Sequence, residues 1–277
     1  VASQAEHIEV EAPIKASEVE WNKIVHKLLH GPSDQPRVYS AEQLKAVQAM
    51  RMSFPDENQV PEQELLRFLR ARDFNVEAST RLLQKAVEWR EKAKPQSIPL
   101  EAVRHVFDKG SVFVHGVDRV NRPVIWLFGR NHHRGDNDVA VQGTLWAIEA
   151  AIRRLPDDKE SYTVITDLNG YGFANLDSKW CFSVIEFVQN YYPERLAMLL
   201  IINAPTAFWV LWKMIKGLLA ERTRSKIHFI GSDYKTRLPA LVPEAHIPVS
   251  LGGTCQDNPQ AWIQAELGPP PAPPSKK

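Results

Sequence analysis

Two histidines and two aspartates crowd the segment GRNHHRGDND, where His132, His133, Asp136 and Asp138 offer nitrogen and oxygen donors of the kind a divalent metal takes. Adjacent side chains point apart, so His132 and His133 do not close on one ion, and the segment reads as a solvated loop. Asp167 ends an apolar run, a position where α/β enzymes place catalytic groups. The sequence supplies it with neither a nucleophile nor a partner base, and a structural hydrogen-bonding role fits it better. NGYGFAN at 169–175 has two glycines but lacks the remaining positions of a phosphate-binding loop, and it reads as a turn. There is no nucleophile elbow and no zinc-protease helix motif. The expectation is a chain without catalytic residues and without a metal site.

The unusual chemistry is apolar. In TAFWVLWKMIKGLLAERTR, residues 206–224, Phe208, Leu211, Trp212, Ile215, Leu218 and Leu219 recur at the i, i+3, i+4, i+7 spacing of one helix face. Trp209, Val210 and Met214 carry apolar character around most of the circumference. Such a helix is either fully buried or touches something oily on its outer side. Two tryptophans beside Lys213 and Lys216 resemble an interfacial helix whose lysines suit anionic headgroups. A plain core helix remains the alternative on these features alone.

The elements that must position this helix follow from the hydrophobic pattern. Residues 1–38 read as polar and irregular, with one helical turn around Trp21–Leu29. Ser40 with Gln43 makes a capping box for a helix over Ala41–Met52. Pro61 starts a second helix, with Leu65, Leu66, Phe68 and Leu69 as its stripe. Asn75 caps a third that runs to about Lys94 and presents Leu82, Leu83, Ala86 and Trp89. After Gly110, SVFVHGV and RPVIWLFG read as two strands joined by the turn DRVN. Helices at 138–155, 178–191 and 206–220 then alternate with strands at 161–168, 197–203 and 226–231. That alternation predicts an α/β fold, a helical N-terminal subdomain followed by a mostly parallel sheet with helices packed on it. The expected boundaries are an extension over 1–39, the helical subdomain over 40–108, the sheet domain over 109–255, and a C-terminal extension with a proline-rich linker over 256–277.

Composition narrows the class. Hydrophobic residues make up 44% and charged residues 24% of the 277, ordinary globular usage. The net charge of +1 excludes a polycation that coats nucleic acid. Cys181 and Cys255 lie far apart without a Cys-x-x-Cys partner, which fits a reducing compartment. The acidic start VASQAEHIEVEAPIK has no apolar core and no initiating methionine, so a secretory signal is not expected and a piece of a longer protein is. The apolar stretch 196–219 is interrupted by Asn203, Pro205, Lys213 and Lys216, and Pro205 would break a spanning helix in its middle. A soluble chain with a strand followed by a separate helix is the expectation.

Taken in order, LLRFLRARDFNVEAS…EWR (65–90), RPVIWL (122–127), TDLNG (166–170), YYPER and LLIINAP (191–205), the aromatic helix and SKIHFIG (225–231) resemble the signature of the CRAL-TRIO family, whose best-known fungal members transfer phosphatidylinositol and phosphatidylcholine. The resemblance covers roughly residues 40–253. It implies a deep hydrophobic pocket, floored by the sheet and closed by a movable gate helix at about Pro205–Leu219. In that setting Phe208, Trp209, Leu211, Trp212, Ile215, Leu218 and Leu219 become gate and membrane-contact residues.

The resemblance also implies a headgroup site at Arg72, Glu194 and Lys226, with the Thr223 hydroxyl in the same corner. Arg and Lys offer donors to a phosphodiester. Glu194 either orients a cation or accepts from a sugar hydroxyl; the plainer alternative makes Arg72 a surface charge and Glu194 half of a structural ion pair. Where phosphatidylcholine-binding members carry tyrosines and a Ser/Thr pair, this chain has Val114, Ile125, Tyr162 and Val164; hydroxyls are lost at three of the four, which disfavours a choline headgroup and leaves room for another apolar second ligand, a sterol or isoprenoid. The implied protein is a monomeric, cytoplasmic carrier that touches membranes transiently, binds phosphatidylinositol in place of a cofactor, and is not an enzyme. A non-transferring lipid-sensing or scaffolding module is the alternative.

Overall fold

The computed structural model describes residues 13, 14, 16–31, 38–135, 137–256 and 262. Three helices form the first compact unit. Helix α2 (Ala41–Arg51) begins with the expected box, in which the Gln43 amide donates to Ser40 Oγ at 3.3 Å and the Ser40 amide donates to Gln43 Oε1 at 2.9 Å. Helix α3 (Glu62–Arg70) follows Pro61, and α4 (Val76–Ala93) is capped by Asn75, whose Oδ1 accepts from the Ala78 amide at 2.9 Å. Their apolar stripes meet in a core of Met50, Leu65, Phe68, Leu69, Leu83 and Ala86.

Two helices depart from expectation. Residues Glu18–Leu29 form a full helix, α1, started by a Ser17/Glu20 capping box, rather than a single turn in an irregular arm. Helix α5 (Leu100–Asp108) was not foreseen. It packs through Val103 and Phe107 against α6 (Asn137–Arg153), with the Phe107 and Trp146 rings edge to face at 4.9 Å. By packing, α5 therefore sits with the sheet and not with the helical unit.

The sheet has five strands in the order β1-β2-β3-β4-β5. They are β1 (Val112–Val117), β2 (Pro123–Phe128), β3 (Tyr162–Asp167), β4 (Leu196–Ile202) and β5 (Ile227–Ile230). Only the β1–β2 pair is antiparallel. Helix α7 (Ser178–Tyr191) connects β3 to β4, and α8 (Thr206–Ile215) follows β4.

The period-2 geometry of a strand splits each sequence between two faces. Val124, Trp126, Ile165, Met198, Leu200 and Ile202 point to one face, against Trp21 and Leu28 of α1 and the C-terminal residues Leu238, Leu241 and Ile247. Arg122 fastens α1 there: its Nη2 donates to the Leu28 and Leu29 carbonyls at 3.1 and 2.6 Å, a cation at a helix C-terminus. The Arg237 guanidinium lies 4.7 Å over the Trp21 ring. The other residues of each strand, Ile125, Val164, Leu199, Ile201 and Ile227 among them, point to the face carrying α6, α7 and α8.

The helical unit joins the sheet domain through polar and aromatic contacts. Arg90, paired with Glu64 inside the helical unit at 2.6 Å, donates to the Tyr191 carbonyl at 3.2 Å, Arg70 pairs with Glu160, and Trp89 stacks on Tyr191 with ring centroids 4.2 Å apart. Arg67 is buried in this seam, and burial together with the Arg195 charge pulls its guanidinium down to about 9, still protonated at neutral pH. Of the expected terminal extensions, residues 1–12 and the proline-rich stretch 268–274 lie outside the described residues. Trp262 is described, and it packs on Phe113 and stacks with His115.

Candidate lipid and headgroup site

The second face of the sheet is not filled by side chains. Between it and helices α6, α7 and α8 lies a cavity enclosing about 1540 Å³, its mouth included. Its walls are almost wholly apolar, with Ile125, Val164 and Leu199 on the sheet side and Val184, Leu211 and Trp212 on the helix side. The cavity runs from Leu196, where β4 begins, to Gly129 and Leu168, just past the ends of β2 and β3. With about 3.3 Å per strand residue its length is about 20 Å, enough for an extended acyl chain.

Helix α8 closes one side. Phe208, Leu211, Trp212 and Ile215 are buried and line the cavity, with the Phe208 and Trp212 rings against Phe229 of β5. Trp209 is half-buried, its ring 4.8 Å from that of Phe229. Leu219 also lines the cavity, whereas Leu218 is 52% exposed. The outward apolar residues are therefore Val210, Met214 and Leu218, with Lys213 and Lys216 beside them. Of the expected gate and membrane-contact set, Leu218 alone is exposed; Val210 and Met214 are exposed beside it. The helix also stops sooner than its pattern implies: Lys216–Leu218 is a tighter 3₁₀ turn.

At the amino ends of β4 and β5 the cavity opens onto a polar corner. Arg72, Thr223, Glu194 and Lys226 all line it, so the four expected headgroup residues come together although they span more than half the chain. Val188, Gln189, Leu196 and Thr223 line both spaces. Each residue is placed by a local feature. Arg72 and Asp73 sit in a turn after α3 where Asp73 and Phe74 adopt left-handed φ of 50° and 61°. Glu194 lies between α7 and β4 and is itself left-handed, φ 60°, an uncommon conformation for a non-glycine residue that costs on the order of 1 kcal/mol or more. Thr223 belongs to the short helix α9 (Glu221–Arg224), and Lys226 precedes β5.

Glu194 organises the corner. Its Oε2 is 3.3 Å from Lys226 Nζ and its Oε1 is 3.5 Å from Arg222 Nη1. Arg222 also pairs with Asp73 at 2.6 Å and donates to the Arg70 carbonyl at 2.7 Å, tying α9 to the helical unit. Arg72 donates to the Ala71 carbonyl at 2.8 Å and pairs with no carboxylate among the described residues. Three cations, three carboxylates (Asp73, Glu194 and Glu221) and a hydroxyl thus face a polar opening at the end of an oily cavity, with Glu194 orienting two of the cations. Arg222 and Asp73 escaped the sequence reading, since nothing in ERTR or ARDF marks them apart from surface charges.

The opposite end of the sheet holds the residues first considered for catalysis. Asp167 is buried and saturated: it accepts from Arg130 Nη1 at 2.9 Å, Asn203 Nδ2 at 2.8 Å and the Asn169 amide at 3.0 Å. His132 is tucked against Asp177 at 3.2 Å and Trp180, so the loop reading holds for exposed His133 but not for it. Asp136 lies outside the described residues. Among the described residues no group of three or more His, Cys, Asp or Glu side chains could hold a metal. Cys181 lines the cavity, where burial pushes its thiol up to about 12 and keeps it protonated and unreactive. None of the described helices is long and apolar enough to cross a membrane.

Comparison with known proteins gives concordant results. A family profile described as CRAL/TRIO domain matches residues 107–253, and one described as CRAL/TRIO, N-terminal domain matches residues 38–85. The chain is 32% identical over 215 residues to the Sec14 cytosolic factor of Schizosaccharomyces pombe, covering 69% of this chain and 74% of the relative. It is 29% identical over 267 residues to phosphatidylinositol/phosphatidylcholine transfer protein SFH12 of Arabidopsis thaliana, covering 84% of this chain but only 48% of that relative. The crystal structure of Sfh5 shares the fold, with a TM-score of 0.63 at 16% identity over 84% of this chain and 98% of that one.

Proposed function

This chain belongs to the CRAL/TRIO family, and from that premise we propose that it encloses a single phospholipid, phosphatidylinositol, and exchanges it at membrane surfaces without catalytic turnover. The observation that carries the reading is the continuity of a long apolar cavity with a polar corner that holds Arg72, Arg222 and Lys226: one molecule with two oily chains and a phosphate-bearing sugar headgroup suits both. Two acyl chains hold dozens of methylenes, each worth about 0.8 kcal/mol on leaving water. An unassisted lipid therefore leaves a bilayer slowly, and a dry pocket that opens only at the membrane avoids the aqueous step.

In this reading Arg72, Lys226 and Arg222 take the phosphodiester, Thr223 adds a hydroxyl, and Glu194 holds the cations in place or accepts from the inositol ring. Helix α8 is the gate, and Val210, Met214 and Leu218 touch the bilayer first while Lys213 and Lys216 meet anionic headgroups. Ile125 and Val164 line the cavity without hydroxyls, which supports a preference against phosphatidylcholine. The protein works as a monomer from the cytoplasm.

Transfer of radiolabelled phosphatidylinositol between donor and acceptor vesicles tests the proposal. A Val210→Ser/Met214→Ser/Leu218→Ser protein should load lipid normally yet transfer it several-fold more slowly. Lipid that is bound but never exchanged by the wild type would leave a lipid-sensing module instead.

A further inference from the structure

The two ends of α8 are held in different ways. At its start, Asn203 adopts a left-handed φ of 57° and donates from Nδ2 to Asp167 at 2.8 Å. Asp167 is buried and fixed by Arg130 and the Asn169 amide, so this joint is anchored inside the protein. At its end the helix gives way to the 3₁₀ turn Lys216–Leu218 and then to Leu219, whose φ of −80° and ψ of 128° are those of a strand. Gly217 in that turn meets nothing within 4 Å where a Cβ would stand, so no packing immobilises it.

One side chain holds this second joint. Gln189 of α7 donates from Nε2 to the Leu218 carbonyl at 3.1 Å, and its Oε1 accepts from the Ala220 amide at 2.7 Å. A single amide group thus satisfies the carbonyl and the N–H that flank Leu219, as a neighbouring strand would. Both bonds are exposed, so water can replace them at low cost. Gln189 also stands on the wall shared by the apolar cavity and the headgroup corner.

We propose that Gln189 is the releasable latch of the gate: α8 pivots about the buried Asn203–Asp167 joint, and its far end is freed when the Gln189 amide lets go of Leu218 and Ala220. The inference rests on the reading of α8 as a gate. It identifies a positioning residue that sets the rate of lipid exchange without belonging to the cation set. A headgroup hydroxyl or phosphate entering the corner lies beside the same amide, so occupancy of the corner and release of the joint compete for one group.

The experiment compares wild type, Gln189→Leu and Gln189→Glu, each loaded with phosphatidylinositol. Hydrogen–deuterium exchange of the 216–220 amides is followed alongside lipid transfer to vesicles. Losing two exposed hydrogen bonds should speed exchange at Ala220 and raise the transfer rate of Gln189→Leu, counted per lipid-loaded molecule, about fivefold. Gln189→Glu keeps the acceptor for Ala220 and loses the donor to Leu218, so it should fall between the two and carry the test if the leucine protein folds poorly. Unchanged Ala220 protection in both variants overturns the latch, as does unchanged transfer in variants that have lost protection. A wild type that transfers no lipid fails the gate reading itself, and the latch with it.

Discussion

Replacing Lys226 with alanine examines the headgroup corner most sharply, because its neighbours set the size of the effect. Lys226 Nζ lies 3.3 Å from Glu194, whose side chain is 9% exposed, and its own side chain is 16% exposed. A hydrogen bond from such a cation to a phosphate is worth about 1.5–3 kcal/mol, which corresponds to about 10- to 150-fold in affinity. The loss should fall on phosphatidylinositol and spare an apolar ligand that uses the cavity alone.

Stability should respond differently. Removing one member of a fully buried ion pair costs about 3–5 kcal/mol. Here the corner opens to solvent and Arg222, 47% exposed, still faces the Glu194 carboxylate, so about 1 kcal/mol is expected. In a double-mutant cycle with Glu194→Ala the two stability losses should therefore be less than additive. The assay is competition for the protein between phosphatidylinositol and a neutral-headed lipid in vesicles, read by mass spectrometry of the bound fraction. Urea unfolding of the same variants supplies the cycle. A Lys226→Ala protein that retains phosphatidylinositol within twofold of wild type would refute the assignment of the corner.

Two further outcomes concern the opposite face and pH. Trp21→Ala should destabilise the protein by about 3–5 kcal/mol in chemical unfolding, since the ring is 5% exposed in the core beneath the sheet. Lipid bound per folded molecule should stay unchanged, and a loss of lipid would mean that the two faces are coupled. The imidazoles of His115 and His228 are held below the ordinary histidine value, in both cases mainly by burial, with help from His246 and Arg154 for the first and Lys27 for the second. The unfolded chain then binds more protons, so the stability these groups contribute is complete above about pH 6.5 and is lost as pH falls towards their folded values. Unfolding free energies at pH 7.5 and 5.5 should show a smaller drop for His115→Gln/His228→Gln than for wild type, and parallel drops would exclude the effect.

The alternating architecture was legible because each strand and helix carries its own signal. The unbroken apolar runs PVIWLF and LAMLLII, and the caps at Ser40 and Asn75, are local facts that survive folding. Helix α5 announces itself weakly, because Pro99 stands at its N-cap and no side chain caps its first turn. Docking of α1 depends on Arg122 and Arg237, partners about a hundred and two hundred residues away, and no local pattern announces them.

The gate helix shows the opposite difficulty. With apolar residues around most of its circumference, periodicity cannot tell the cavity side from the water side; in the fold Trp212 is buried against the cavity and Met214 is exposed. The headgroup residues came from the family resemblance, and geometry then added Arg222, Asp73 and Gln189. Their importance comes from meeting across the chain; in the sequence they look like ordinary polar surface. The general rule for α/β sheets also points the wrong way, because it favours the carboxyl ends of the strands. There Asp167 and His132 are spent on structure, and the polar corner lies at the amino ends.

The most direct test of the account is to purify the wild-type chain under native conditions from a eukaryotic host and identify the extracted lipid by mass spectrometry. The account predicts phosphatidylinositol at close to one molecule per protein, with phosphatidylcholine a minor component. An empty protein, or one filled with a ligand that has no phosphate headgroup, would contradict it.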